Sequence, residues 1–189
     1  QYCEGRLVLH CVDDALFLPN SIDVAIEQYD AMCSEKDIIN CRYREGANFS
    51  GQTLPMGFWN AHFHDELRLP GIPKDYKIAL HQLIEREYLL ELGGFDCRYE
   101  YINHGSHDLV FRIQANDGKV FDSVVDVTSC SHFIGTTGDH KSIHDAQTFH
   151  DKPLFDAIYS QQGNPAQNRI EIEYSNWEMC PSVWKRRFD

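Results

Sequence analysis

The constraint that most narrows the fold is a strand–helix–strand pattern near the start of the chain. Arg6-Leu7-Val8-Leu9-His10-Cys11-Val12 is a short apolar run with β-branched residues, closed by the acids Asp13 and Asp14, and it reads as a buried strand. Pro19-Asn20-Ser21 supplies a turn and an N-cap. Ile22, Ala25, Ile26, Tyr29, Met32 and Cys33 then recur at helical spacing, so a helix is expected over 21–33. Asp37 to Tyr43 alternates as a second strand. Elements in this order build an α/β sheet.

The remainder fits one domain over 1–189, with a core from about 5 to 135 and a loop, a helix and a tail over 136–189. Residues 44–75 break the periodicity with Gly, Pro, Asn and aromatics, including Trp59, His62 and His64; loops of that length are usually functional. Ile78 to Ile84 reads as a strand and Glu85 to Leu92 as a helix stopped by Gly93-Gly94. Ser106 is positioned to cap a further helix, which would place Asp108 in its first turn and end it near Gly118. The valine-rich run Lys119 to Ser129 predicts another strand, and 152–162 another helix.

The acids outnumber the bases 29 to 17, a formal charge of −12, which repels nucleic-acid backbones and anionic membranes. The basic cluster Lys185-Arg186-Arg187 is short and reads as a solvated tail. No apolar run reaches the ~18 residues of a membrane span. The seven cysteines are odd in number, widely spaced and without a Cys-x-x-Cys pair, which points away from a disulfide framework and toward a reducing cytoplasm. The chain starts without Met or a secretory signal and enters a strand abruptly, so a piece of something longer is expected.

Two groups of acids stand out. Asp13-Asp14 closes the first strand, and Leu92-Gly93-Gly94-Phe95-Asp96 precedes His107-Asp108-Leu109-Val110-Phe111-Arg112 and Gly118-Lys119-Val120. One carboxylate to hold a metal and one to take a proton suffice to move a group from a phosphate ester to a hydroxyl. Each acid also has a plainer reading: an acidic turn before Pro19 for Asp13-Asp14, and complementing the helix dipole for Asp108.

These residues resemble the second half of a family-2 (inverting, nucleotide-sugar-dependent) GT-A glycosyltransferase. Val12-Asp13-Asp14 with Pro19 five residues on follows the family's metal motif, although Val12 stands where the family has its first Asp. Gly93-Gly94-Phe95-Asp96, then His107-Asp108, Arg112 and Gly118-Lys119-Val120, follow the acceptor-side motifs, with His107 in place of Glu. The resemblance implies a Rossmann-like mixed sheet flanked by helices, lacking the family's N-terminal βαβ portion. It implies Asp108 as the catalytic base, and Mn²⁺ or Mg²⁺ held by Asp13, Asp14 and His132. Trp59, Gly93, Gly94, Asp96 and His107 would contact substrate. The partners implied are a nucleotide-sugar donor and a glycan, lipid-linked or protein acceptor. Two other classes remain open: a non-catalytic glycosyltransferase-like binding or structural module, and a metal-dependent hydrolase built on His62 and His64.

Overall fold

The computed structural model describes residues 3–13, 15–45, 77–130 and 141–162. Five strands form one mixed sheet: β1 (Leu7–His10), β2 (Ala15–Phe17), β3 (Ile38–Glu45), β4 (Gln82–Glu85) and β5 (Val120–Cys130), in the order β1-β4-β3-β5-β2. β4 runs antiparallel to both β1 and β3, β3 is parallel to β5, and β2 is antiparallel to β5. Strands β1, β3 and β5 therefore share one direction and deliver their carboxyl ends to one edge.

Five α-helices accompany the sheet among the described residues: α1 (Ser21–Met32), α2 (Arg86–Glu91), α3 (Ile102–Ala115), α4 (Lys141–Ala146) and α5 (Lys152–Gln162), with a π turn, Gln147–Asp151, between the last two. Side chains alternate across a strand, so paired apolar residues serve both faces. Ile39, Cys41 and Leu83 pack with Ala25 and Tyr29 of α1, while Ile38 and Ile84 pack with Tyr88 of α2 and with Leu109, Val110 and Ile113 of α3. A helix layer thus covers each face. Outside α3, a third cluster joins Tyr99 and Phe111 to Phe155, Ile158 and Tyr159 of α5. No helix among the described residues is long and apolar enough to cross a membrane.

The strand–helix–strand start is present, but β1 and β3 are not neighbours. β4 occupies the slot between them because Leu83 and Ile84 are both buried, at 2% and 1% exposure, which suits an inner position; β1, half-buried throughout, lies at the edge. β4 is also shorter than the run 78–84 suggests. The Gln82 side-chain amide donates to the Ala79 carbonyl at 2.8 Å and takes the preceding residues out of the strand.

Helix α3 begins at Ile102, four residues ahead of Ser106, which is fully buried inside it. The cap is remote: both carboxylate oxygens of Asp151, in the π turn, accept the backbone N–H groups of Glu100 (2.9 Å) and Tyr101 (2.8 Å). A cap supplied from another element leaves no local signature. Asp108 consequently sits in the second turn, beyond the reach of the dipole effect expected for it.

The α3–β5 connection leaves no room for a side chain at Gly118. A Cβ there would meet the Lys36 carbonyl oxygen and lie 2.6 Å from Ile113 Cγ2. Gly118→Ala should lower stability by about 3 kcal/mol in urea unfolding, since a backbone oxygen cannot step aside; a loss under about 1 kcal/mol would refute this packing.

Candidate functional site

Among the described residues, the carboxyl edge brings together the segment that holds Asp13 and the turn that holds Gly93 and Gly94. β1 leads there to Val12 and Asp13, and Val12 and Ala15 pack on Tyr43 near the end of β3. Ala15 is the cross-strand partner of Cys130. The chain therefore crosses the sheet edge between β1 and β2, and exposed Asp13 lies on that crossing. Asp14, Trp59, His62, His64 and His132 lie outside the described residues; 46–76 follow the end of β3, and 131–140 follow the end of β5.

On the same edge, α2 ends in Gly93 (φ 86°) and Gly94 (φ 70°), whose N–H groups return to the carbonyls of Leu90 and Leu89. Such left-handed backbone is open to glycine with little strain and ends the helix sharply. The turn then presents Phe95, whose ring lies 4.4 Å from the His10 ring at the end of β1. Phe95 of the glycine turn thus meets His10, three residues before Asp13 and eighty-odd positions away in the chain.

Behind the turn stands Arg112, 2% exposed. Its Nε donates to Asp108 Oδ2 at 2.9 Å, Nη1 to the Leu92 carbonyl and Nη2 to the Gly94 carbonyl, both at 2.7 Å. One guanidinium therefore joins Asp108 to the double-glycine turn. Asp108 is completely buried, and its Oδ1 accepts the Tyr159 hydroxyl of α5. Burial pushes the Asp108 carboxyl above the ordinary aspartate range, while Arg112 and Tyr159 pull it back. Asp96, 3% exposed, is engaged by the Arg98 guanidinium and by the Arg98 backbone N–H at 3.0 Å, which closes the turn. His107 is half-buried, with its ring centroid 6.2 Å from that of His104.

Beneath the edge, one polar residue from each of four strands falls in a single register row: His10, Gln82, Asn40 and Asp122. His10 Nδ1 pairs with Gln82 Oε1 and Asn40 Nδ2 donates to Asp122 Oδ1, each at 2.9 Å, while Lys77 Nζ stands 3.4 Å from Asp122 Oδ2. Burial lowers the pKa of His10, against its bond to Gln82. Sequence reasoning passed over His10 and Gln82. A histidine and a glutamine among apolar strand residues were the available signal, because a polar side chain in a buried strand needs a partner.

A second histidine, His81, is 1% exposed, stacked on Tyr43 (4.6 Å) and 3.3 Å from Thr128 Oγ1. Burial, aided by the charge of His10, pushes its pKa down to about 4. The unfolded chain, with a value near 6.5, binds a proton through this window that the folded chain does not. His81 therefore holds stability above pH 6.5 and loses it as pH falls toward 4, by roughly 3 kcal/mol in all. Urea unfolding at pH 7 and pH 4.5 should show a smaller difference for His81→Gln than for the parent; equal differences would exclude this role.

Among the described residues no group of three or more His, Cys, Asp or Glu side chains is arranged to hold a metal ion. A shallow groove of about 590 Å³, lined by Arg6, Tyr29, Cys33, Lys36 and Glu85 among others, opens at the opposite end of the sheet and shares none of the candidate residues. Compared with family models, curated proteins and solved structures, the chain matches none.

Proposed function

We propose that the carboxyl edge of this sheet transfers a sugar from a nucleotide-diphosphate donor to an acceptor hydroxyl with inversion, as a family-2-like GT-A glycosyltransferase does. The observation that supports this reading is a run of contacts at one edge: His10, three residues before Asp13, lies against Phe95 of the Gly-Gly-Phe-Asp turn, and Arg112 links that turn to Asp108. Ligands of open α/β sheets sit outside the carboxyl ends of the strands, which is where Asp13 lies.

Asp13, Asp14 and His132 would hold Mn²⁺ or Mg²⁺. Exposed Asp13 fits such an ion as a hard oxygen donor. When bound, the metal supplies Lewis-acid neutralisation of the leaving diphosphate. Gly93 and Gly94, without side chains, let a sugar approach the backbone, while Asp96, His107 and Trp59 supply polar and stacking contacts. Asp108 takes the proton of the acceptor hydroxyl, which belongs to a glycan, a lipid-linked sugar or a protein. The excess of acids disfavours nucleic-acid partners, and the odd, widely spaced cysteines without a Cys-x-x-Cys pair support a cytoplasmic location.

One observation favours a second reading. Asp108 is fully enclosed, with one oxygen on Arg112 and the other on Tyr159, as befits a structural strut in a non-catalytic glycan-binding module. No observation on the described residues favours hydrolysis at His62 and His64.

Calorimetric titration of UDP- and GDP-sugars, with and without Mn²⁺, separates the two. The transferase reading expects nucleotide binding that depends on the metal and weakens in Asp13→Ala. No binding under either condition would leave the non-catalytic reading.

A further inference from the structure

We propose that α5 is a removable cover over Asp108, with the Tyr159 hydroxyl occupying the place that an acceptor hydroxyl takes during transfer. This rests on the glycosyl-transfer reading. Arg112 Nε binds Oδ2 of Asp108, and Tyr159 donates its O–H to Oδ1. A phenol donating to a carboxylate makes the same contact that a sugar hydroxyl makes before it gives up its proton. The side chain of α5 is a built-in mimic of the acceptor, and the base is closed while it is there.

The seat of α5 is made to release. Phe155, Ile158 and Tyr159 bury apolar surface on Tyr99 and Phe111, which holds the helix down. The same seat encloses polar atoms without partners: Tyr99 Oη and His104 Nδ1 lack a hydrogen bond among the described residues, and both rings lie against Phe155, at 6.4 and 5.2 Å between centroids. Buried polar atoms left unmatched work against the apolar contact. Lifting α5 returns both to water.

The π turn and Pro153 are where a hinge would fall. Pro153, in the first turn of α5, has no N–H to continue the helical ladder, and the π turn Gln147–Asp151 lies immediately before it. The fixed side of that hinge is Asp151, held by the backbone N–H groups of Glu100 and Tyr101. Asp151 can therefore keep the start of α3 capped while the helix beyond Pro153 swings.

Hydrogen exchange on the intact chain, without donor or metal, tests the cover directly. Amides over 154–162 should exchange at least tenfold faster than those of α3, and Tyr159→Phe should speed them several-fold further with α3 unchanged. Exchange of α5 and α3 at one common rate, in both parent and variant, would overturn the proposal. Should Tyr159→Phe fold poorly, Ile158→Ala reports on the same seat. In a transfer assay with Mn²⁺ and nucleotide sugar, Tyr159→Phe should raise turnover several-fold, and a drop would show that Tyr159 assists the reaction rather than blocking it. A helix that opens in a chain binding neither UDP- nor GDP-sugars would count against the glycosyl-transfer reading and not against the opening itself.

Discussion

Arg112→Met should be the most damaging single substitution in the described structure, lowering unfolding free energy by about 3–5 kcal/mol and the thermal midpoint by roughly 10 °C. The guanidinium is 2% exposed and makes bonds to Asp108, the Leu92 carbonyl and the Gly94 carbonyl. Methionine fills a similar volume but leaves a buried carboxylate without its cation and two carbonyls without their donors. Most of the loss comes from that stranded charge, so the pair Asp108→Leu with Arg112→Met should recover about half of it. Denaturant unfolding of both variants checks the claim. If Arg112→Met unfolds within about 1 kcal/mol of the parent, the guanidinium is not what holds the turn to α3.

Asp108→Asn should reduce sugar transfer by about 10²–10⁴-fold while metal-dependent nucleotide binding stays nearly unchanged. The amide keeps the shape of the side chain and an oxygen for Arg112 Nε, but it cannot take a proton from an acceptor. Because it also strands the Arg112 charge, turnover belongs at a temperature where circular dichroism shows the variant folded. Near-parental turnover there would remove Asp108 from the chemistry and leave it as a strut. Loss of transfer together with loss of nucleotide binding would mean instead that the turn at Gly93-Gly94 had collapsed.

Elements whose cause is local were legible in the sequence. Helix α1 follows from the spacing of Ala25 and Tyr29, the end of α2 from Gly93-Gly94, and β5 from its valines. The missing parts have causes distant in the chain. Nothing near Ile102 shows that Asp151 caps α3, and nothing near Gln82 says that this short strand separates β1 from β3. Strand β2 is only three residues, Ala15–Phe17, too brief to alternate visibly. At the candidate site the motifs indicated the turn and Asp108. They gave no sign of Tyr159, because a hydroxyl arriving from a helix 51 residues later carries no pattern of its own.

That brief strand has a consequence for how the chain is made. Among the described residues β2 pairs only with β5, and Ser21 just after it donates to the Val127 carbonyl, 106 residues downstream. As the polypeptide emerges from the ribosome, the backbone N–H and C=O groups of β2 must wait unpaired until the far strand has been synthesised. Such long-range closure slows folding and exposes a sticky segment meanwhile. Nascent chains stalled before Val120 should therefore be the form that chaperones hold and that aggregates most readily.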